Sequence, residues 1–151
     1  MSDIVSSEVR SRMMAGIKGK DTKPEIFLRK SLHKLGFRYR LHDRRLPGKP
    51  DMVFPRYRAV IFAHGCFWHG HSCHLFKMPS TREDFWKEKI NRNRELDSQH
   101  IERLREMGWR IGIVWECAIK GKYRLDSEEV IGIFAQWLQT DMPYLEMGGQ
   151  S

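Results

Sequence analysis

The 151-residue chain carries 27 Lys and Arg against 19 Asp and Glu, a formal net charge of +8 with a pI near 9.6. That length suits one domain of about 150 residues, able to bury roughly two-thirds of its unfolded surface without disulfide staples. With 40% hydrophobic residues, only 12 Gly and 6 Pro, and no apolar run longer than residues 59–63, the chain is neither disordered nor low-complexity, and no segment approaches the ~20 residues of a membrane span.

Residues 1–10 contain Asp3 and Glu8 and lack the apolar stretch of a secretory signal, so a cytoplasmic protein is expected. Residues 6–17 place Val9, Met13, Met14 and Ile17 at helical spacing behind a Ser cap. Thr22-Lys23-Pro24-Glu25 has the form of a capping box, with Pro tolerated in the first turn. Ile26, Leu28, Leu32 and Leu35 continue that helix to Gly36, a C-terminal stop signal. Three short strands are expected at 37–42, 51–54 and 58–64, the first two joined by the turn Leu46-Pro47-Gly48-Lys49-Pro50.

A loop rich in His and Cys fills 65–80. Ser80-Thr81-Arg82-Glu83 reads as a second capping box, opening a long helix that runs to Met107 and stops at Gly108. Residues 109–117 alternate as a buried strand, and 126–139 form a last amphipathic helix. In the order ααβββαβα, a helix between strands 58–64 and 109–117 implies a parallel crossover. The expectation is an α/β fold, a mixed sheet flanked by helices. Residues from about 141 to 151 form a tail without a recognisable pattern.

A pI above about 9 is the footprint of a nucleic-acid partner, and the basic residues cluster inside folded segments. Three cysteines cannot complete a disulfide framework within one chain. Cys66, His71, Cys73 and Cys117 make a thiolate and imidazole set suited to tetrahedral Zn²⁺, the alternative being buried reduced cysteines beside a surface histidine. Four protein ligands leave no open position, so such a zinc is structural. Asp51 after Pro50 is either turn chemistry or a carboxylate ligand for Mg²⁺. The Asp/Glu-x-Lys companion common in Mg²⁺-dependent nucleases is missing from residues 60–64. His64 and His69, held close by a zinc-pinned loop, would supply proton transfer near neutral pH. Glu25 is accounted for by its capping box, and His33 and His74 as ordinary polar residues. Phe67-Trp68 is either a wedge for unstacking bases or local packing. Trp86, Lys89, Asn93 and Asp97 share one helix face, suited to reading base edges or to bordering the core.

Pro47-Gly48-Lys49-Pro50-Asp51, the segment Val60-Ile61-Phe62-Ala63-His64-Gly65-Cys66-Phe67-Trp68-His69-Gly70-His71-Ser72-Cys73, and Ile113-Val114-Trp115-Glu116-Cys117 resemble the core of the very-short-patch-repair (Vsr-type) mismatch endonucleases. The likeness extends over most of residues 8–124. It implies a restriction-endonuclease-like fold with a structural zinc site, and a Mg²⁺-dependent nick 5′ of the thymine in a T·G mismatch left by 5-methylcytosine deamination. Carried over residue by residue, it implies that Asp51 and the backbone carbonyl of Ala63 ligate Mg²⁺. His69 would activate water with Asp97 orienting it, and His64 and Glu25 would support the phosphate and the metal's waters. Cys66, His71, Cys73 and Cys117 would hold Zn²⁺. Phe67, Trp68 and Trp86 would wedge into the duplex, Met14 would enter from the opposite groove, and Lys89 and Asn93 would contact the mismatch. The family carries Thr where this chain has Ala63, so any role of that hydroxyl is lost.

The whole chain, 1–151, is thus expected to be one endonuclease domain with a DNA-contacting helix in 1–20. It would act as a monomer on double-stranded DNA, associated with a bacterial nucleoid, with mismatch-repair accessory proteins as partners and no membrane. Two competing expectations are a zinc-stabilised DNA-binding module without catalysis and a sequence-specific restriction-type nuclease cutting both strands.

Overall fold

A computed structural model describes residues 22–149; the expected helix at 6–17, with Met14, lies outside them. Helix α1, Lys23–Lys34, begins where the Thr22 hydroxyl accepts the Glu25 backbone N–H at 3.4 Å. Its Leu28 and Leu32 are wholly buried. Strands β1 (Arg40–Leu41) and β2 (Met52–Phe54) follow, then a single 3₁₀ turn at Pro55–Tyr57 and strand β3 (Ala59–His64). Helix α2, Glu83–Glu106, leads into β4 (Arg110–Trp115). A one-turn helix α3 (Glu116–Ile119), helix α4 (Ser127–Leu138) and strand β5 (Tyr144–Met147) complete the described chain.

The strands form one five-stranded sheet in the order β1-β2-β3-β4-β5. β1, β2 and β3 pair antiparallel, whereas β3, β4 and β5 pair parallel, so α2 is the crossover that the sequence implies. Period-two alternation divides the strands between two cores. Met52, Phe54, Ala59, Ile61 and Val114 pack with α1 and α4 through Leu28, Leu32, Val130, Phe134 and Trp137. Val53, Val60, Phe62, Ile111, Ile113 and Trp115 pack on the opposite face with Leu104 of α2. At Gly112 a Cβ would come within 3.2 Å of Phe134 and Trp137, so a larger residue there would make those rings of α4 give by a few tenths of an ångström. This mixed sheet flanked by helices matches the expected α/β class and is consistent with a restriction-endonuclease-like fold.

Four local expectations change. The strand at 37–42 shrinks to Arg40–Leu41, because Phe37 turns into the core and His42 takes a left-handed φ of 48°. The second capping box does not form: Arg82 occupies the N-cap position at φ 54° without a side-chain cap. Glu83 and Asp84 instead place negative charge in the first turn, where the helix dipole favours it. The strand at 109–117 ends at Trp115, and Cys117 lies in α3. The tail supplies β5, which covers the edge of β4. No described helix is long and apolar enough to cross a membrane.

Candidate active site and metal centre

Asp51 stands immediately before β2, opposite the end of β3. Its Oδ2 accepts the Ala63 backbone N–H at 2.7 Å, so the contact to residue 63 seen here is through the amide. Glu25, fully buried on α1, points into the same place. Its Oε2 lies 2.7 Å from Arg29 Nη1 and 2.7 Å from His42 Nε2, and His42 Nε2 is 3.9 Å from Asp51 Oδ1. Glu25 is therefore more than a capping-box acid: its side chain belongs to a carboxylate pair. Burial, then the charge and hydrogen bond of Glu25, push the Asp51 carboxyl from an ordinary 3.8 up to about 8, against the Ala63 N–H and Lys49. Two buried carboxylates side by side, one of them favouring its protonated form, make an oxygen donor set that a divalent cation would fit, since the ion would supply the positive charge the site lacks.

One residue beyond Ala63, His64 carries the site across the sheet. Its ring stacks on His69, with centroids 3.9 Å apart and planes 11° from parallel. His69 Nδ1 lies 2.5 Å from Asp97 Oδ2 on α2. With Nδ1–H donated to that carboxylate, His69 Nε2 is left with the lone pair. The loop reaches α2 because Gly70, at φ 63°, lies where a Cβ would come within 2.8 Å of Ile90 and Arg94. Burial, reinforced by His69 and His71, holds His64 well below the usual histidine range. Being neutral, it does not oppose a proton arriving on the ring stacked against it. Its buried Nδ1 has no partner among the described residues.

The Cys/His centre lies beside this pair. Ligand atoms of Cys66, His71, Cys73 and Cys117 all fall within 4.8 Å of one another. His71 Nδ1 is 3.5 Å from the Sγ atoms of both Cys66 and Cys117. Burial pushes the Cys66 and Cys117 thiols up and the His71 imidazole down, leaving a clustered neutral set that a soft cation converts to thiolates. Trp115 divides the two centres. Its indole stacks on His71 at 4.1 Å and meets His64 edge-on at 5.0 Å, while its Nε1 donates to Glu146 of β5 at 2.5 Å.

The aromatic side chains of the loop and of α2 converge. Phe67 is 5.2 Å from Trp68 and 5.4 Å from Trp86, and Trp68 is 5.7 Å from Trp86. All three remain partly exposed. Lys89 Nζ lies 5.7 Å over the Trp68 ring, and the Asn93 amide donates to the Trp68 carbonyl at 2.9 Å. Every site residue expected within the described segment thus falls in one of three adjoining groups. Sequence reasoning missed His42, Arg29, Trp115 and Glu146. A hairpin register pairing His42 with Asp51 could have revealed the first, through the His42 N–H to Asp51 carbonyl bond of 3.1 Å.

Comparison with known proteins agrees with this geometry. The sequence profile of the family described as DNA mismatch endonuclease Vsr matches residues 2–75. DNA mismatch endonuclease Vsr of Escherichia coli (strain K12) is 46% identical over 138 residues, 91% of this chain and 88% of that one. Type II nicking enzyme V.XorIIP of Xanthomonas oryzae pv. oryzae is 45% identical over 127 residues, 84% of this chain and 93% of its own. Type II nicking enzyme V.NmeAIP of Neisseria meningitidis is 47% identical over 122 residues, 81% of this chain and 87% of its own.

Proposed function

The chain belongs to the Vsr family of DNA mismatch endonucleases, and from that premise we propose that it nicks one strand of a duplex on the 5′ side of the thymine in a T·G mismatch. It is a DNA endonuclease, which sets aside the reading as a DNA-binding module without catalysis. The observation that carries the proposed mechanism is the run of contacts from Glu25 and Asp51 through Ala63 and His64 to His69 and Asp97. This run gathers a carboxylate pair and a His–Asp pair at one end of the sheet, which supports a cation site beside a proton acceptor.

In this mechanism Asp51 and the Ala63 carbonyl would hold Mg²⁺ beside Glu25, and the ion when bound would supply positive charge to the phosphoryl oxygens. His69 Nε2 takes the proton of the attacking water, and Asp97 fixes the ring and stabilises the imidazolium that results. His64 stays neutral and closes the site against bulk solvent. Trp68, Phe67 and Trp86 offer an apolar wedge beside the mismatch, at the cost of unstacking a base step. Lys89 and Asn93 lie next to that wedge, where they would meet base edges. Met14 would reach the duplex from the N-terminal segment. Zn²⁺ at Cys66, His71, Cys73 and Cys117 is structural, pinning the loop that carries His69. We assign the whole chain to one endonuclease domain acting as a monomer in the bacterial cytoplasm, on the nucleoid, upstream of accessory repair proteins.

The test uses a duplex labelled on each strand and carrying a single T·G pair, with a matched duplex as control. Mg²⁺ should permit one nick, on the thymine strand only, with none from Asp51→Ala. Equal cutting of the matched duplex, or cleavage of both strands, would overturn the mismatch reading in favour of a restriction-type nuclease.

A further inference from the structure

His42 carries no role in the mechanism above, yet its position is tightly fixed. Its backbone N–H donates to the Asp51 carbonyl at 3.1 Å, and its φ of 48° ends β1 and turns the residue back toward the sheet. The side chain, only 15% exposed, reaches between the two carboxylates, 2.7 Å from Glu25 Oε2 and 3.9 Å from Asp51 Oδ1. Asp51 divides its oxygens: Oδ2 is occupied by the Ala63 N–H, and Oδ1 faces the imidazole. Ligand atoms of Glu25, His42 and Asp51 all lie within 4.8 Å of one another.

We propose that His42 is a nitrogen donor of the cation site and biases that site toward Mn²⁺ over Mg²⁺. The proposal rests on the cation-dependent mechanism above and adds a ligand to it. Glu25 also accepts a bond from Arg29 at 2.7 Å, so His42 is not its sole partner. His42 Nε2 lies at the gap between the carboxylates, where it would face an ion held there. Mg²⁺ is a hard ion served by oxygen, whereas imidazole nitrogen strengthens binding of first-row transition ions.

The experiment uses full-length protein with its zinc retained, titrated with Mn²⁺ and followed by electron paramagnetic resonance. Electron spin-echo envelope modulation of the bound ion reads directly whether nitrogen is coordinated. Wild type should show ¹⁴N coupling that disappears in His42→Gln, with His42→Asn as a second variant. The Mn²⁺ dissociation constant should rise about tenfold or more, and the Mg²⁺ constant, measured by competition, should change much less. Asp51-dependent Mn²⁺ binding without ¹⁴N coupling, or with coupling unchanged in both His42 variants, overturns the role of His42 and leaves the cation site standing. Mn²⁺ binding that ignores Asp51→Ala overturns the cation site and His42 together.

Discussion

Replacing Asp51 by Asn should abolish cleavage and yet stabilise the protein when no divalent cation is bound at that site. In the folded chain the Asp51 carboxyl is pushed from an ordinary 3.8 to about 8, first by burial and then by Glu25. An acid whose pKa is raised by folding binds its proton more tightly in the native state. The associated stability is fully present at low pH, falls as the pH climbs above 3.8, and is lost once it passes about 8. At about 1.4 kcal/mol per tenfold in proton affinity, the ceiling is roughly 6 kcal/mol. An effective dielectric of about 20 rather than 4 at a buried site cuts this to about 2–3 kcal/mol. Asn keeps an oxygen for the Ala63 N–H and offers an N–H to Glu25, so it supplies the hydrogen bonding without the charge. At about 2–4 °C per kcal/mol for a chain of this size, Asp51→Asn should melt about 5–10 °C above wild type near pH 8 in magnesium-free buffer. Near pH 4 the gap should close. Mg²⁺ should close the gap, since only wild type gains the binding free energy, about 2.7 kcal/mol at a hundred times the dissociation constant, and should reverse the order near a thousand times, where the gain is about 4.1 kcal/mol. A variant that melts below wild type at pH 8 without magnesium, or a gap independent of pH, would refute the reasoning from the buried Asp51 carboxyl.

Three further outcomes follow from the remaining groups. Asp97→Asn keeps the shape beside His69 but removes the negative charge that favours its protonation, so kcat on the T·G duplex should fall about 10²-fold or more with KM little changed, in single-turnover kinetics. Cys117→Ser should lose stoichiometric zinc in elemental analysis and melt well below wild type, because ligand binding and folding are coupled in such centres. Trp68→Ala should weaken binding of the T·G duplex by about 1–3 kcal/mol in fluorescence anisotropy while affinity for matched duplex barely changes; an equal loss on both would assign the ring to packing.

Much of this was legible because the relevant signals are local. The crossover needed only the period of α2 between two alternating apolar strands. The Cys/His centre needed only residue types, since soft donors at a strand end and in a loop without aliphatics have few other uses. His42 and Glu146 were invisible for the opposite reason. His42 sits beside Asp51 through hairpin register, and Glu146 reaches Trp115 through parallel pairing of β4 with β5, a strand whose four residues alternate too weakly to announce themselves. The failed capping box at Ser80 to Glu83 shows a local rule overruled: the chain enters α2 through a left-handed Arg82, and Ser80 is not the cap.

The proximity of the two centres has a physical rationale in the loop that joins them. His69 lies between Cys66 and His71 in sequence, so ordering those two ligands fixes the backbone on either side of the proposed base. Holding each loop residue costs about 1–2 kcal/mol of backbone entropy, and this loop has few aliphatic side chains with which to recover it. The loop's own bonds, from the His69 N–H to the Gly65 carbonyl and from the His71 N–H to the Cys66 carbonyl, shape the turn but do not anchor it to the sheet. Cys117 in α3, bonded through sulfur to the Gly149 N–H at 3.1 Å, ties the loop to the segments that follow β4 and β5. Trp115 transmits that anchoring, stacked on His71 and set edge-on to His64 and His69. The proposed proton acceptor, although on a loop, is then fixed by contacts on both sides, as positioning a water for in-line attack would require.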